Sequence, residues 1–321
     1  MSPRSRGIAF ASGTAVISGV AIFLNARGVR EAGDVTVYTT AKNLVAAGLL
    51  AALLVLRPGA GHRLARSGDD GRAAGWLPKG AVAGLVCIGI VGGSLPFVLF
   101  FEGLARESSV HAAFLQKTLV IWVALLAPVL LGERLRLGHG AAIALLVTGQ
   151  AFADGGLGGF RFGSGEALIL GATLLWSIEV ILARRLLVWQ VAPLALGTAR
   201  MVLGSAVLIG WVAVSGRWSA LTGLDARGWE WALLTGAILA GYVAGWFTAL
   251  SLAPAVDVTA VLSTGAVVTA VLSAFDTGAV PPATQAGGLV MLVTGAMLVV
   301  VIASRARRAG VERAGAEEAS A

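Results

Sequence analysis

The feature that most constrains this chain is the recurrence of long stretches almost free of charge. A helix needs about 20 mostly apolar residues to cross roughly 30 Å of hydrocarbon. Ten stretches qualify, at 7–25, 35–56, 80–104, 109–131, 138–153, 164–183, 192–214, 231–252, 255–276 and 284–303, the fifth being short. Composition agrees, with 57% hydrophobic and 13% charged residues over 321 positions, about half the charge of a soluble domain. A water-soluble protein of this size cannot hide so much apolar surface. The expected fold is an all-α integral membrane protein with ten transmembrane helices. The 44 glycines fit that class, since glycine is common in membrane helices. The connector at 57–79 reads as solvated, and the tail 304–321 as a disordered cytoplasmic segment.

The formal charge of +7 does not point to nucleic acid, because the basic residues sit in short segments between apolar runs. That placement is a topology signal. Lys and Arg concentrate in segments on the N-terminal side, such as Arg57–Arg72, Arg134, Arg136, Arg184, Arg185 and Arg305–Arg308. Fewer fall on the other side, among them Arg27, Arg30 and Arg106. Both termini are therefore expected in the cytoplasm, in a multi-pass protein of the cell inner membrane. Arg4 and Arg6 before the first run imitate a secretory signal, but that run has a counterpart later in the chain and reads as a retained helix.

A single cysteine, Cys87, excludes an internal disulfide. His62, His111 and His139 are scattered, and there is no HExxH pattern, no phosphate-binding GxxxxGK[ST] loop and no nucleophile–base motif. No enzyme activity, cofactor or metal is expected.

The halves of the chain resemble each other. TAKNLVAAGLL at 40–50 matches TARMVLGSAVL at 198–208, which sets Lys42 opposite Arg200. LARESSVHAAF from Leu104 aligns with LAPAVDVTAVL from Leu252, and LLVTG at 145–149 with MLVTG at 291–295. Each copy, 7–153 and 164–303, holds five spans. Five is odd, so the second copy enters the membrane from the opposite side, a five-plus-five inverted-topology repeat. Such symmetry suits alternating access round a central site; a duplicated scaffold without transport is the bland alternative.

These residues carry a family resemblance. The five-plus-five plan, the GERL at 132–135, the basic position in spans two and seven, and AAFLQKTLVIWVALLAPVLLGERLRLGHGAAIALLVTG are similar to the EamA family of the drug/metabolite transporter superfamily. The resemblance implies a secondary-active exporter of a small metabolite or drug with a central cavity, proton-coupled or exchanging solutes. Its partners are then a small-molecule substrate, membrane lipid and protons, with a homodimer left open. The second copy departs from the pattern, with DTGAVPPATQ where a second GER would stand.

A charge deep in the bilayer needs a partner, a wet cavity or an interface. Lys42, Glu102, His111 and Lys117 are expected toward the outer face, and Glu179, Arg200 and Asp257 toward the inner. Lys42 with Glu102, and Arg200 with Glu179, are the pairs expected to gate the cavity or else to hold helices together. His111 and the carboxylates are the candidate proton carriers. Lys117, beside Gln116, suits an anionic substrate group or neutralises Glu102. The mid-span Trp122, Trp176 and Trp246 either line a cavity or pack. Glu133 and Arg134 of GERL read as a structural ion pair or a helix-end latch at the cytoplasmic end of span four, not as substrate ligands.

Overall fold

The computed structural model describes residues 2–56, 79–133, 137–153, 163–189, 191–279 and 282–319. The first half runs α1 (Pro3–Glu31), α2 (Val35–Leu56), α3 (Lys79–Val91), α4 (Leu95–Leu104), α5 (Ser109–Lys117), α6 (Leu119–Leu131) and α7 (Leu137–Ala153). The second half runs α8 (Ser164–Val188), α9 (Pro193–Val214), α10 (Trp218–Thr222), α11 (Ala226–Leu252), α12 (Ala255–Leu262), α13 (Gly265–Thr277) and α14 (Ala283–Ala319).

These elements make ten spans once α3 with α4, α5 with α6, and α12 with α13 are counted as broken crossings. Among the described residues nine spans are at least 20 residues long and apolar, and the fifth, α7, has 17 residues. Polar turns lengthen several helices beyond the apolar runs: α1 starts at Pro3, α8 ends at Val188 and α11 starts at Ala226. The helical path of α14 continues to Ala319, through residues whose composition reads as disorder. Alanine, arginine and glutamate, abundant there, are strong helix formers.

The packing pattern has the two-fold symmetry that the repeat requires. Spans 2 and 7 (α2, α9) pack on each other, as do spans 5 and 10 (α7, α14), so symmetry mates meet at the axis. Span 1 packs on span 8 (α1 on α11), and span 6 answers by packing on span 3 (α8 on α4). Spans 1 and 9 pair as spans 6 and 4 do. The protein is thus an all-α integral membrane fold of two inverted five-span halves, interleaved rather than side by side. One membrane face, where α1 begins and the tenth span returns, is the terminal face below; the opposite one is the far face.

Helix ends follow from local chemistry. Ser2 Oγ accepts the Ser5 amide (3.2 Å) ahead of Pro3 in the first turn of α1, as a capping serine should. Asp34 does the same for α2, accepting from the Thr36 and Val37 amides. Spans 4 and 9 stop at left-handed glycines, Gly132 (φ 68°) and Gly278 (φ 66°), a conformation glycine adopts without a Cβ clash. The glycine that ends the helix is therefore present in both copies, although the Glu–Arg that follows it is present only in the first.

The breaks shape the interior. In span 3, Gly92, Gly93 and Ser94 separate α3 from α4, with Pro96 in the first turn of α4. The glycines also allow close approach: a Cβ on Gly93 would lie 2.3 Å from the Arg200 carbonyl oxygen, and one on Gly204 2.3 Å from that of Gly93. Span 4 breaks at Thr118 and span 9 at Ser263–Thr264, near-equivalent points of the two copies. Span 8, the mate of span 3, is the unbroken helix α11 of 27 residues. Pro128 sits inside α6, which continues through it.

Candidate functional site

A cavity lies at the breaks, open in part to solvent. Spans 1–4 and 6–9 contribute to its wall; no described residue of α7 or α14 does. Non-helical backbone at membrane depth persists where it is buried in protein or lines a cavity, and both conditions hold here.

Lys117 is the last residue of α5, so the break delivers its ammonium to the cavity. Its Nζ donates to Ser18 Oγ (2.7 Å) and to Gln116 Oε1 (2.8 Å). Lys117, Gln116, Trp176 and Trp246 all line the space, together with Lys42, Glu179 and Arg200. Trp122 does not. After the break the cavity face of α6 is carried by Leu119, and Trp122 stands half-buried outside it.

Glu179 and Arg200 form a buried ion pair, with Arg200 Nε 2.8 Å from Glu179 Oε1 and Nη2 3.0 Å from Oε2. Helices α8 and α9 are antiparallel neighbours, which brings the two side chains to the same depth. The broken span 3 adds a third member: the Gly92 carbonyl accepts from Arg200 Nη2 (2.9 Å) and from Trp176 Nε1 (3.1 Å). Gly92 must be glycine for this, because a Cβ there would meet Glu179 Cδ at 2.4 Å.

Lys42 is not paired with Glu102. Its Nζ donates to Asn25 Oδ1 (3.0 Å) and stands 3.7 Å from the ring centre of Phe101, a cation–π distance. Successive residues of a helix point about 100° apart. With Phe101 turned to the cavity, Glu102 turns outward, where it pairs with Arg106 at 3.2 Å. Asn25 also accepts from the Tyr38 hydroxyl (2.8 Å).

Two further clusters lie outside the cavity lining, one toward each membrane face. On the terminal face Asp257, in the first turn of α12, accepts from Arg4 through Nε (2.8 Å) and Nη2, and lies 3.2 Å from His139 Nε2 on α7. Beside it lies Glu133; Arg134, named with it in the sequence, lies outside the described residues. Glu133 accepts from the amides of Ala255 (2.9 Å) and Val256 (3.4 Å), with Arg184 Nε 3.7 Å away. The end of span 4 thereby caps the start of span 9 in the other copy, and a carboxylate suits a helix N-terminus. On the far face His111 Nε2 stands 3.5 Å from Glu166 Oε1 and 4.0 Å from Glu107 Oε2.

Arg4, His139, Asn25, Ser18, Glu107 and Glu166 thus join the site without having been singled out in the sequence. Asn25 had a legible signal, an amide within an apolar span. Arg4 looked like an ordinary topology charge.

Two inverted five-span halves, breaking their helices around a shared polar cavity, define the architecture of a membrane transporter. The chain belongs to the EamA-like transporter family, whose model matches it twice, over residues 5–153 and 163–301. No curated protein matches it significantly. Among solved structures, one described only as "Crystal structure of protein" shares the fold, with a TM-score of 0.65 at 17% identity over 91% of this chain and 98% of that one.

Proposed function

We propose that the protein is a secondary-active exporter of a small organic solute carrying an anionic group. It works by alternating access in the inner membrane, with the terminal face cytoplasmic. The observation that carries the reading is the charge of the cavity: Lys42, Lys117 and Arg200 line it against the single carboxylate of Glu179. Arg200 is committed to Glu179. Among the described residues Lys117 is held by neutral acceptors, Ser18 and Gln116, and an incoming carboxylate gains a charge-assisted bond there. Phe97, Phe100 and Trp176 form one aromatic wall and the stacked Tyr242 and Trp246 another, which suits an apolar or aromatic body. The outward direction is what the family resemblance implies.

The Arg4–Asp257–His139 cluster and the Glu107–His111–Glu166 cluster tie helices toward opposite membrane faces. Alternating access would release one while the other holds. We propose that a proton gradient drives the cycle. Exchange of one solute for another is the second reading, supported by the presence of a tie at each end.

Inside-out vesicles containing the protein should accumulate labelled carboxylates when a proton gradient is imposed, and Lys117→Ala should abolish the uptake while leaving the amount of folded protein unchanged. Uptake that ignores the gradient removes the proton coupling and favours exchange. Uptake unaffected by Lys117→Ala removes the anion site.

A further inference from the structure

The far-face cluster has the composition of a metal site. Glu107 lies in the connector between spans 3 and 4, His111 in the first turn of α5, and Glu166 in the first turn of α8. One donor atom from each lies within 4.8 Å of the other two. The geometry points to a site for a divalent transition-metal cation of the zinc or manganese kind, held by Glu107, His111 and Glu166 and bridging the two copies.

The donor set fits. One imidazole and two carboxylates suit first-row divalent ions, and zinc bonds to such atoms at about 2.0–2.2 Å. Donor atoms of a tetrahedral site of that size are about 3.4 Å apart. His111 Nε2 is already 3.5 Å from Glu166 Oε1, and 4.0 Å from Glu107 Oε2. The whole set lies within 4.8 Å, so no donor pair has to close by more than about 1.4 Å, within reach of side-chain rotation.

The ligands are also oriented from behind, as metal ligands are. Glu166 Oε2 accepts the Gly163 amide (2.9 Å), which leaves Oε1 facing His111. Ser108 Oγ accepts the His111 amide (3.1 Å) and fixes the turn that carries the ring. Gly165 lets Glu107 lie against the start of α8: a Cβ there would come 2.4 Å from Glu107 Oε1. The side chains of Glu107, His111 and Glu166 are 21%, 13% and 8% exposed, sheltered yet reachable from water.

Charge separates the two faces. On the terminal face the guanidinium of Arg4 meets Asp257. On the far face two carboxylates converge on one imidazole. A divalent cation would neutralise the two carboxylates and tie span 4 of the first copy to span 6 of the second.

The test needs no transport. Tag-free, chelator-stripped full-length protein in detergent is titrated with zinc and with manganese by calorimetry and by thermal unfolding. The expected result is one saturable site for at least one of the two ions, with a rise in Tm because only the folded state holds the ligands together. His111→Ala should weaken binding by at least roughly tenfold, the range set by loss of a metal-site group. Glu107→Gln serves if His111→Ala fails to fold. Gly165→Ala, which keeps all three ligands but displaces Glu107, should weaken binding too, whereas His139→Ala and Cys87→Ser should not. No saturable binding of either ion, or binding indifferent to His111→Ala, Glu107→Gln and Gly165→Ala alike, overturns the site. Either result leaves the transport reading to its own vesicle assay.

Discussion

Lys42 and Arg200 occupy matching positions in the two copies, yet their surroundings have little in common. Arg200 is locked: Glu179 neutralises it, the Gly92 carbonyl takes a further N–H, and Gly93 and Gly204 bring the two backbones together beneath it. Lys42 meets no carboxylate at hydrogen-bond distance among the described residues; an amide oxygen and an aromatic ring hold it. The repeat has kept the position of a cation and changed what the cation does. A guanidinium with five planar donors can brace a carboxylate and a carbonyl at once. An ammonium against Phe101 binds fewer groups and remains beside the solute space. Both cations line the cavity, but the second copy's is braced by a carboxylate and the first copy's is not.

The comparison breaks most visibly if the locked side is cut. Glu179→Ala strands a buried guanidinium, at a cost of about 3–5 kcal/mol, and should lower the midpoint of thermal unfolding in detergent more than Gly204→Ala, Lys42→Met or Arg4→Ala. Exchanging the two residues, Glu179→Arg with Arg200→Glu, should recover part of that loss; no recovery means the pair is not the brace. Next in size, Gly204→Ala pushes a methyl into the Gly93 carbonyl, and overpacking of this kind costs about 1–3 kcal/mol. The unfolding midpoint should fall by less than with Glu179→Ala. Lys42→Met should cost less still, about 1 kcal/mol, from one hydrogen bond and one cation–π contact. If Lys42→Met proves as damaging as Glu179→Ala, the asymmetry between the copies is wrong. Smallest in stability is Arg4→Ala, because Arg4 is partly exposed and the buried Asp257 keeps His139 beside it. Its expected readout is faster cysteine labelling of the cavity from the terminal face.

Much of the plan is legible in the sequence because bilayer thickness and an odd span count are strong constraints. Ten apolar runs and a repeat of five define the inverted halves before any contact is known. Glu179 and Arg200 could be paired because a short loop joins their antiparallel helices. Lys42 could not be assigned, since a one-residue change of helical phase decides whether Phe101 or Glu102 faces it, and charge favours the wrong answer. Trp122 escaped for a related reason: the break at Thr118 resets the phase of span 4. Arg4 and Asp257 are 253 positions apart, and only the packing of α1 against α12 brings them together.

The inversion itself is tested most directly by where the two copies begin. In a Cys87→Ser background, Ser5→Cys marks the start of span 1 and Ser164→Cys the start of span 6, and a membrane-impermeant thiol reagent is applied to sealed cells and then to inside-out vesicles. The account predicts that Ser164→Cys reacts only in cells and Ser5→Cys only in inside-out vesicles. Labelling of both from the same side would contradict it.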